Sequence, residues 1–253
     1  MTTATTLPLA GLAVLITGGA RRVGAAIARH LHAHGASLLI HHRASRADAS
    51  ALVGEFNAER PRSAAAHAAD LLDVVSLPAL VAATINAFGR LDVLINNAST
   101  FYPTPLGEIT LAEWNDLMGT NLRGPLFLAQ AAAAELRLRH GLVLNMIDIH
   151  GLRPLKRHTV YCAAKAGLVM LTQSLARELG PSVRVNAIAP GPVMWPEGGV
   201  DAELKARIIG RTALKRIGSP DDVAKAALYF VKDAPYVTGQ VLPVDGGRTV
   251  GGL

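Results

Sequence analysis

The chain has 253 residues, of which 50% are hydrophobic and only 17% are charged, so it can bury a large core and is not a disordered protein. Its formal net charge is +6, but it has no run of five basic residues and no basic residues interleaved with aromatic ones, which argues against nucleic-acid binding. A single cysteine, Cys162, excludes an internal disulfide and is typical of a reducing compartment. No stretch has the composition of a signal peptide or a membrane span, so we expect a soluble cytoplasmic protein.

Short apolar runs alternate with helical patterns along the chain. Strands are predicted over residues 12–17, 36–40, 63–69, 91–95, 142–147, 182–188 and 239–244. Helices are predicted over residues 25–34, 48–60, 73–88, 110–139, from Tyr161 to about 179, up to 211, and 221–232. This alternation predicts an α/β fold in which residues 1–253 form a single Rossmann-like domain, with a doubly wound parallel sheet of about seven strands and helices on both faces.

The first predicted strand runs into a glycine-rich turn, Thr-Gly-Gly-Ala-Arg-Arg-Val-Gly over residues 17–24, and then into a helix. Strand, glycine-rich turn and helix in this order are the setting in which such a motif binds a dinucleotide. Gly18 permits the tight turn, Gly24 lets the helix approach the sheet, and the helix N-terminus offers N–H groups to a pyrophosphate. A plain strand-to-helix turn is the alternative.

Basic and hydroxyl side chains follow the second predicted strand. An NAD site would place Asp or Glu here to bind the ribose 2′-OH, whereas this chain has His42, Arg43 and Ser45. A carboxylate would repel a 2′-phosphate, while arginine and serine can bind one. With Arg22 adding positive charge in the preceding turn, the sequence favours NADP over NAD, and a solvated basic loop is the alternative.

Small and polar side chains follow the third and fourth predicted strands. Asp70 closes the third strand, where it can either bond the adenine or cap the next helix. The fourth strand leads into Asn-Asn-Ala-Ser over residues 96–99, which we expect to line a crevice, since doubly wound sheets bind ligands outside the carboxyl ends of their strands. The loop 100–106 contains prolines, and its Phe101 is placed to stack on a flat ligand.

The main chemical signal lies between the fifth strand and the helix after it. The strand delivers Asp148, and Tyr161 and Lys165 stand four residues apart on one helix face. An ammonium near a phenol lowers the phenol pKa from about 10, so we expect Tyr161 to exchange a proton near neutral pH. The alternatives are an ordinary amphipathic helix, with Tyr161 in the core and Lys165 in solvent, and an Asp148 that only caps a helix.

Three further features complete the chain. The sixth strand ends near Pro190 and Gly191, and the Pro/Gly-rich loop over residues 191–212 has the character of a mobile lid. His30 and His34 stand four apart on a helix, but no third ligand is evident, so we expect no metal site. The Cys162 thiol has no base placed beside it in the sequence, which favours a packing role.

Together these motifs resemble the short-chain dehydrogenase/reductase family along the whole chain. The glycine-rich turn, Asn-Asn-Ala, Asn121 in a long helix and Tyr161-x-x-x-Lys165 occur in the family's order. Within the family the chain is similar to the pteridine reductases, because of four departures from the usual pattern. Arg22 replaces the middle glycine of the turn, His-His-Arg-Ala-Ser follows the second strand, a serine follows Asn-Asn-Ala, and Asp148 replaces the usual serine.

The resemblance implies an NADPH-dependent reductase of dihydropterins, with dihydrofolate as a further substrate. In the implied mechanism Tyr161 gives a proton to a ring nitrogen, Asp148 relays protons, Lys165 holds the nicotinamide ribose, and Asn121 keeps a water in the proton path. The implied cofactor contacts are Gly18, Arg22, Val23, Gly24, His42, Arg43, Ser45, Asp70, Leu71, Asn97, Ala98, Ser99, Tyr161, Lys165, Pro190 and Gly191. The implied substrate contacts, around a pterin lying between the nicotinamide and Phe101, are Arg22, Ser99, Phe101, Asp148, Tyr161 and Trp195.

The resemblance also implies a homotetramer built through the long helices around Asn121 and Tyr161. Two other functions stay open. A reductase of ketones or 3-oxoacyl thioesters would share Tyr161 and Lys165 but ordinarily has serine at position 148. A non-catalytic NADP(H) sensor would keep the fold without the chemistry.

Overall fold

In the computed structural model, which describes residues 7–196 and 198–250, seven parallel strands form one sheet. The strands are β1 (Ala13–Ile16), β2 (Ser37–His42), β3 (Ala64–Ala68), β4 (Val93–Asn96), β5 (Leu142–Met146), β6 (Arg184–Pro190) and β7 (Val241–Val244). Their order across the sheet is β3-β2-β1-β4-β5-β6-β7. The order reverses between β1 and β4, which is the point where doubly wound sheets bind ligands. The predicted fold class is confirmed.

The helices lie on both faces of this sheet. They are α1 (Arg22–Ala33), α2 (Arg46–Glu59), α3 (Leu77–Phe88), α4 (Leu111–Met118), α5 (Gly124–Leu138), α6 (Thr159–Leu179), α7 (Ala202–Gly210) and α8 (Pro220–Lys232). In β1, Val14 and Ile16 pack in a core with α1, α2 and α8, whereas Leu15 packs in a second core with α3, α5 and α6. Because both faces are covered, the strand is apolar at every position rather than at alternate ones.

Two helices begin three or more residues away from their predicted starts. The first, α1, begins at Arg22 rather than at residue 25, so the end of the glycine-rich turn already belongs to the helix. The third, α3, begins at Leu77 rather than at residue 73. Its predicted first turn is an Asx turn instead, in which the Val75 N–H donates to Asp73 Oδ1 at 3.2 Å.

The long helix predicted over residues 110–139 changes its geometry in the middle. A π-helical turn, Gly119–Arg123, joins α4 to α5, and the Gly124 N–H reaches back five residues to a carbonyl. Pro125 has no N–H and cannot continue the regular hydrogen-bond ladder. The break predicted at Gly124 and Pro125 therefore takes the form of one wide turn, and this turn carries Asn121.

A buried histidine fastens the glycine-rich turn to the neighbouring strands. His41 Nδ1 accepts a hydrogen bond from the Gly18 N–H, and His41 Nε2 bonds the Ala69 carbonyl, both at 3.1 Å. The Gly19 N–H donates to the His41 carbonyl at 3.1 Å. Burial lowers the pKa of His41 to about 4, so the ring is neutral at pH 7, with its proton on Nε2. The sequence placed His41 in a basic loop and did not reveal this role.

We expect the stability of the fold to depend on pH through His41. Its folded pKa of about 4 lies below the ordinary value of 6.5, so between these values the unfolded chain binds the extra proton and the free energy of unfolding decreases as pH falls. From about pH 7 to about pH 5 this residue should lower that free energy by about 2 kcal/mol. Chemical denaturation of the wild type and of His41→Asn at both pH values measures the effect. Asparagine keeps a donor and an acceptor without titrating, so an equal pH dependence in the two proteins would contradict the role.

Candidate active site

The ends of β1 and β4 are tied together where the strand order reverses. Thr17 Oγ1 accepts hydrogen bonds from the N–H groups of Asn97 and Ala98 at 2.9 and 3.0 Å. The Asn97 amide in turn donates to the carbonyls of Thr17 and Gly18 at 2.9 and 3.0 Å. Two residues expected to contact a cofactor, Asn97 and Ala98, are thereby held beside the glycine-rich turn.

The glycines of this turn let neighbouring segments of the chain approach closely. A Cβ on Gly24 would lie 2.4 Å from the Gly18 carbonyl oxygen and 2.6 Å from Asn97 Nδ2. Gly18 itself has a φ of +60°, in the left-handed region that favours glycine. Arg21, at the N-cap of α1, has no acceptor to offer the first N–H groups of the helix, which suits an anion at this position. The cradle fits a pyrophosphate.

The end of β2 carries the donors expected for a 2′-phosphate. Arg43 is exposed, and Ser45 is the N-cap of α2, where its side chain makes no capping bond. His42 is buried instead, and its Nδ1 has no hydrogen-bond partner among the described residues. Buried polar atoms are normally paired, so this nitrogen is consistent with a site that a ligand completes. The first acid after the strand, Asp48, lies 3.8 Å from Arg21.

Asp70 and Leu71 follow β3 at the same sheet edge. Asp70 is exposed, and its Oδ1 accepts from the Leu72 N–H at 2.9 Å. The alternative that Asp70 caps the next helix is wrong, because α3 begins at Leu77 with Ser76 at its N-cap. Leu71 is buried in the core shared with α3 and α5. A contact between these residues and adenine stays a prediction.

Asp148, Tyr161 and Lys165 lie together where β5 meets α6. The Tyr161 hydroxyl donates to Asp148 Oδ2 at 2.9 Å, and the other carboxylate oxygen accepts from the His150 N–H at 2.8 Å. Lys165, one helical turn beyond the tyrosine, is only 1% exposed, and its ammonium donates to the Met146 carbonyl at 2.9 Å. The structure therefore brings the three expected proton-transfer residues to one sheet edge.

The protonation of this group differs from the expectation. Burial raises the pKa of Tyr161, and the charge and hydrogen bond of Asp148 raise it further. Burial also lowers the pKa of Lys165 to about 8, against the opposing effect of Asp148. The expectation of a lowered tyrosine pKa is wrong, because burial and the Asp148 carboxylate raise it. Tyr161 is a protonated phenol, suited to giving a proton rather than taking one.

Asn121, in the π-helical turn, fastens the loop that follows β4. Its Oδ1 accepts from Ser99 Oγ at 2.6 Å, and its Nδ2 donates to the carbonyls of Leu117 and Thr100 at 2.9 and 3.0 Å. Both amide hydrogens are thus used within the chain. A role of Asn121 in keeping a water in the proton path stays a prediction.

Phe101 lies beside Tyr161 and is 53% exposed. Its ring stacks on the imidazole of His158, with ring centres 4.7 Å apart and planes 13° apart, and meets Tyr161 edge-on at 4.8 Å. One face of Phe101 is therefore covered by His158, and the other is open to a flat ligand. The sequence did not single out His158, because only the fold brings it to the phenylalanine.

Further contacts hold the Phe101 loop in place. The Thr104 N–H donates to the Arg157 carbonyl at 2.6 Å, and the buried Thr104 hydroxyl accepts from the Val160 N–H, 56 residues away, at 3.4 Å. The Tyr102 hydroxyl donates to Asp116 of α4 at 2.9 Å, and burial and this carboxylate raise the pKa of Tyr102 to about 12. The loop is thereby fixed to the N-terminus of α6 on one side and to α4 on the other.

The predicted substrate loop meets the glycine-rich turn. Arg22 Nη2 donates to the Trp195 carbonyl at 3.3 Å, and Lys205 Nζ of α7 lies 5.8 Å from the centre of the Trp195 ring. Arg22 has a φ of +55°, which is uncommon for a residue other than glycine. The Gly191 N–H donates to the Val244 carbonyl at 3.0 Å and anchors the start of the loop, while α7 contributes no buried residue. The motion of this loop stays a prediction.

The remaining candidate side chains make local contacts. His30 Nε2 contacts Asp221 of α8, and His34 Nδ1 bonds the His30 carbonyl at 2.7 Å. Cys162 Sγ accepts from the Leu155 N–H at 3.3 Å. Over residues 7–196 and 198–250, no group of three or more His, Cys, Asp or Glu side chains is placed to hold a metal ion. Among the helices described there, none has both the length and the apolar composition of a membrane span.

Comparisons with known proteins agree with this geometry. Residues 18–249 match a family model described as enoyl-(acyl carrier protein) reductase. The chain is 36% identical to pteridine reductase 1 of Leishmania tarentolae, over 99% of both proteins. It is also 34% identical to the 3-oxoacyl-[acyl-carrier-protein] reductase FabG of Staphylococcus aureus, over 92% of this chain and 96% of that protein.

A solved structure shares the fold closely. The crystal structure of a blue fluorescent protein from a metagenomic library, in complex with NADPH, superimposes with a TM-score of 0.90 at 34% identity and covers 95% of this chain and 99% of that one. The region that matches the family model, residues 18–249, contains most of the glycine-rich turn, the crevice after β4 and the Tyr161–Lys165 pair. The chain belongs to the short-chain dehydrogenase/reductase family.

Proposed function

We propose that the protein is an NADPH-dependent reductase of dihydropterins, with dihydrofolate among its substrates. The observation that carries this proposal is the 2.9 Å hydrogen bond between Tyr161 and Asp148, beside the exposed ring of Phe101. A carboxyl group behind a phenol suits protonation of a ring nitrogen, and an open aromatic face suits a flat heterocycle. The similarity to pteridine reductase 1 over 99% of both proteins supports this substrate class.

NADPH is the proposed cofactor, and the residues of the cradle fit it. Gly24 has no side chain, which lets the start of α1 lie close against the Gly18 carbonyl and the Asn97 amide, and the N–H groups at this helix start suit a pyrophosphate. Arg43 and Ser45 offer donors where a 2′-phosphate would lie, and the unpaired nitrogen of His42 is at the same strand end. The related blue fluorescent protein is in complex with NADPH, which supports the same cofactor here. When bound, NADPH supplies the hydride that reaches a substrate carbon.

Tyr161 and Asp148 form the proposed proton path. The raised pKa of Tyr161 keeps the phenol protonated, so it can give a proton to the substrate nitrogen as hydride reaches the adjacent carbon. A phenolate next to an ionised carboxylate would be costly, because like charges repel. Asp148, across the 2.9 Å contact, therefore relays a proton from solvent to the phenol oxygen as the phenol proton leaves. The net transfer is one proton from solvent, through Asp148 and Tyr161, to the nitrogen.

Lys165 and Asn121 support this path. The buried Lys165 ammonium would bond the nicotinamide ribose, and its charge stabilises negative charge that develops on the Tyr161 oxygen during the relay. Asn121 holds Ser99 at 2.6 Å, and it would keep a water in the proton path. Neither residue gives up a proton to the substrate in this scheme.

The pterin is proposed to lie between the nicotinamide and the open face of Phe101. Ser99, Arg22 and Trp195 would form its other boundaries. Because Arg22 donates to the Trp195 carbonyl at 3.3 Å, the turn that binds the cofactor also holds the loop that covers the substrate. Closure of that loop over the pterin would exclude water from the reacting atoms.

A reductase of ketones or 3-oxoacyl thioesters is the second candidate, favoured by the 34% identity to 3-oxoacyl-[acyl-carrier-protein] reductase. That reaction develops an oxyanion, which a neutral serine hydroxyl stabilises better than a carboxylate does. Asp148 therefore favours the pterin. A non-catalytic NADP(H) sensor is a third candidate, but a buried ammonium such as that of Lys165 is costly to keep without a chemical role.

We also propose that the protein is a cytoplasmic homotetramer assembled through α4, α5 and α6. Large apolar side chains remain exposed on these helices, among them Trp114, Leu126 and Met170. Exposed apolar surface of this kind often marks a contact between proteins. The single cysteine supports a reducing cytoplasm.

The NADPH absorbance, followed with dihydrobiopterin, dihydrofolate and a 3-oxoacyl thioester in parallel, tests the proposed reaction. We expect oxidation with the pterin and the folate but not with the thioester. Tyr161→Phe keeps the ring but has no proton to relay, so its turnover should fall about 100- to 10,000-fold while NADPH still binds. An unchanged rate in Tyr161→Phe would refute the mechanism, and turnover of the thioester alone would refute the substrate class.

Asp148→Ser is a second variant, which tests the carboxyl group of the proton path. Serine removes the acid and restores the residue usual in ketone reductases, so pterin turnover should fall at least about 100-fold and some ketone turnover should appear. Thermal denaturation and NADPH binding show whether the variant folds. Full pterin activity in folded Asp148→Ser would remove Asp148 from the proton path.

The Lys165 ammonium should set an upper pH limit for activity. Its pKa is lowered to about 8, so the charge is present below that pH and lost above it. We expect kcat/KM for dihydropterin to fall about tenfold per pH unit above about pH 8. Lys165→Arg keeps its charge over this range, so whatever activity it retains should lack this decline. A wild-type profile that stays flat to about pH 10 would contradict the role.

His158 should position Phe101 for the substrate. Without the imidazole, His158→Ala frees the phenylalanine from its 13° stack, so KM for dihydropterin should rise about 3- to 10-fold with little change in kcat. His158→Phe preserves a stacked ring and should restore the wild-type KM. Both variants lose the 3.0 Å contact from His158 Nδ1 to the Lys156 carbonyl. Equal KM values for the two variants would show that the stack is not needed.

A further inference from the structure

The segment between the two proposed proton-transfer residues concentrates positive charge. Residues 150–158 read His-Gly-Leu-Arg-Pro-Leu-Lys-Arg-His and contain no acidic residue. The side chains of Arg153, Lys156 and Arg157 are exposed. Since the formal net charge of the whole chain is +6, these three cations form a large part of the excess, in one short stretch beside the proposed active site.

These three cations have no acidic partner in the described part of the chain. Elsewhere on the surface a cation such as Arg29 is neutralised in place, by Glu55 at 2.8 Å. No ion pair within the described residues involves Arg153, Lys156 or Arg157. Their charges are therefore left for a ligand or for solvent.

The same segment lies against the loop that carries Phe101. The Arg157 carbonyl accepts from the Thr104 N–H at 2.6 Å, and His158 stacks on the phenylalanine at 4.7 Å between ring centres. The cationic segment thus borders the exposed aromatic ring on which the heterocycle is proposed to lie. A substituent that extends from that heterocycle toward solvent would pass the segment 150–158 as it leaves the site.

We propose that Arg153, Lys156 and Arg157 form a subsite for the carboxylates of a folate tail. This inference rests on the proposed function and names its preferred substrate class: a dihydrofolate with its glutamyl chain, rather than a dihydropterin without one. The glutamyl carboxylates are ionised at neutral pH and accept charge-assisted hydrogen bonds from lysine and arginine. The joint positive field would also speed the approach of an anionic substrate.

A thioester attached to an acidic carrier protein would be another anion drawn to this charge. The position of the cations favours the folate, because their segment borders the Phe101 ring through His158. The open face of that ring can stack on a flat heterocycle, whereas an aliphatic acyl chain gains no stacking from it. The carrier-bound thioester is therefore an outcome for the test to detect.

The test uses two double variants that remove equal charge. Lys156→Gln with Arg157→Gln removes two of the three positive charges of the proposed subsite, and the Arg157 main-chain contact does not depend on its side chain. Arg62→Gln with Lys232→Gln is the control, because both residues lie near the amino ends of the strands, at the opposite edge of the sheet. Steady-state kinetics are measured for both variants and the wild type with dihydrofolate, its triglutamate and dihydrobiopterin, at low and high salt.

We expect the subsite variant to raise KM for dihydrofolate about fivefold at low salt, the size of effect that two exposed charge pairs supply. The triglutamate should show a larger rise, dihydrobiopterin none, and kcat should stay constant. The control variant should match the wild type, and high salt should remove the difference because it screens exposed charges. Equal changes for folate and tail-less pterin, or no change for either, would overturn the inference.

Binding separates this inference from the proposed function. Quenching of tryptophan fluorescence by dihydrofolate, with NADP⁺ present, reports the subsite without any turnover. Charge-dependent binding with no reduction would leave the subsite standing and refute the reductase. Reduction of dihydrofolate that is insensitive to the two charges would leave the reductase standing and refute the subsite. Charge-dependent turnover of a carrier-bound thioester alone would refute both.

Discussion

The hydrogen bond from Tyr161 to Asp148, at 2.9 Å, is the contact on which the proposed chemistry depends, because it joins the end of β5 to the first turn of α6. The phenol is buried, and burial together with the carboxylate raises its pKa. Lys165 supplies the opposite charge from one turn further along the helix. Burial lowers the pKa of Lys165, and the nearby Asp148 partly offsets this effect. One negative and one positive group thus balance around a neutral phenol, so the site avoids an uncompensated buried charge.

Most of the fold and part of the site could be predicted because the strands are buried on both faces. In β1 and β5 the apolar character is nearly continuous, which marks a strand of a covered parallel sheet. A residue that directly follows such a strand lies at the ligand-binding edge, whatever the rest of the chain does. Asn97 and Asp148 were predictable for this reason, and Tyr161 and Lys165 were predictable because their spacing fixes a shared helix face.

Other parts of the site depend on contacts between distant segments, which no local pattern encodes. In the sequence His41 looks like part of a basic loop. In the structure it accepts a hydrogen bond from the Gly18 N–H and is neutral. Thr104 and His158 meet only because the loop after β4 folds onto the N-terminus of α6. The direction of the Tyr161 pKa shift could not be predicted from spacing either, because it depends on how deeply the phenol is buried and on where Asp148 points.

The difference between buried and exposed groups explains why substrate class is harder to predict than fold. Tyr161 and Lys165 would serve both candidate reactions, so they identify the family but not the substrate. Asp148 lies in the proposed proton path, hydrogen-bonded to the buried Tyr161, where a charge changes the energy of a reaction step strongly because the local dielectric is low. The cations of residues 150–158 are exposed and screened, so they alter only encounter and affinity. We therefore expect Asp148 to determine whether the enzyme acts on a ring nitrogen or on a carbonyl. We expect the exposed cations of residues 150–158 to determine which pterins it prefers.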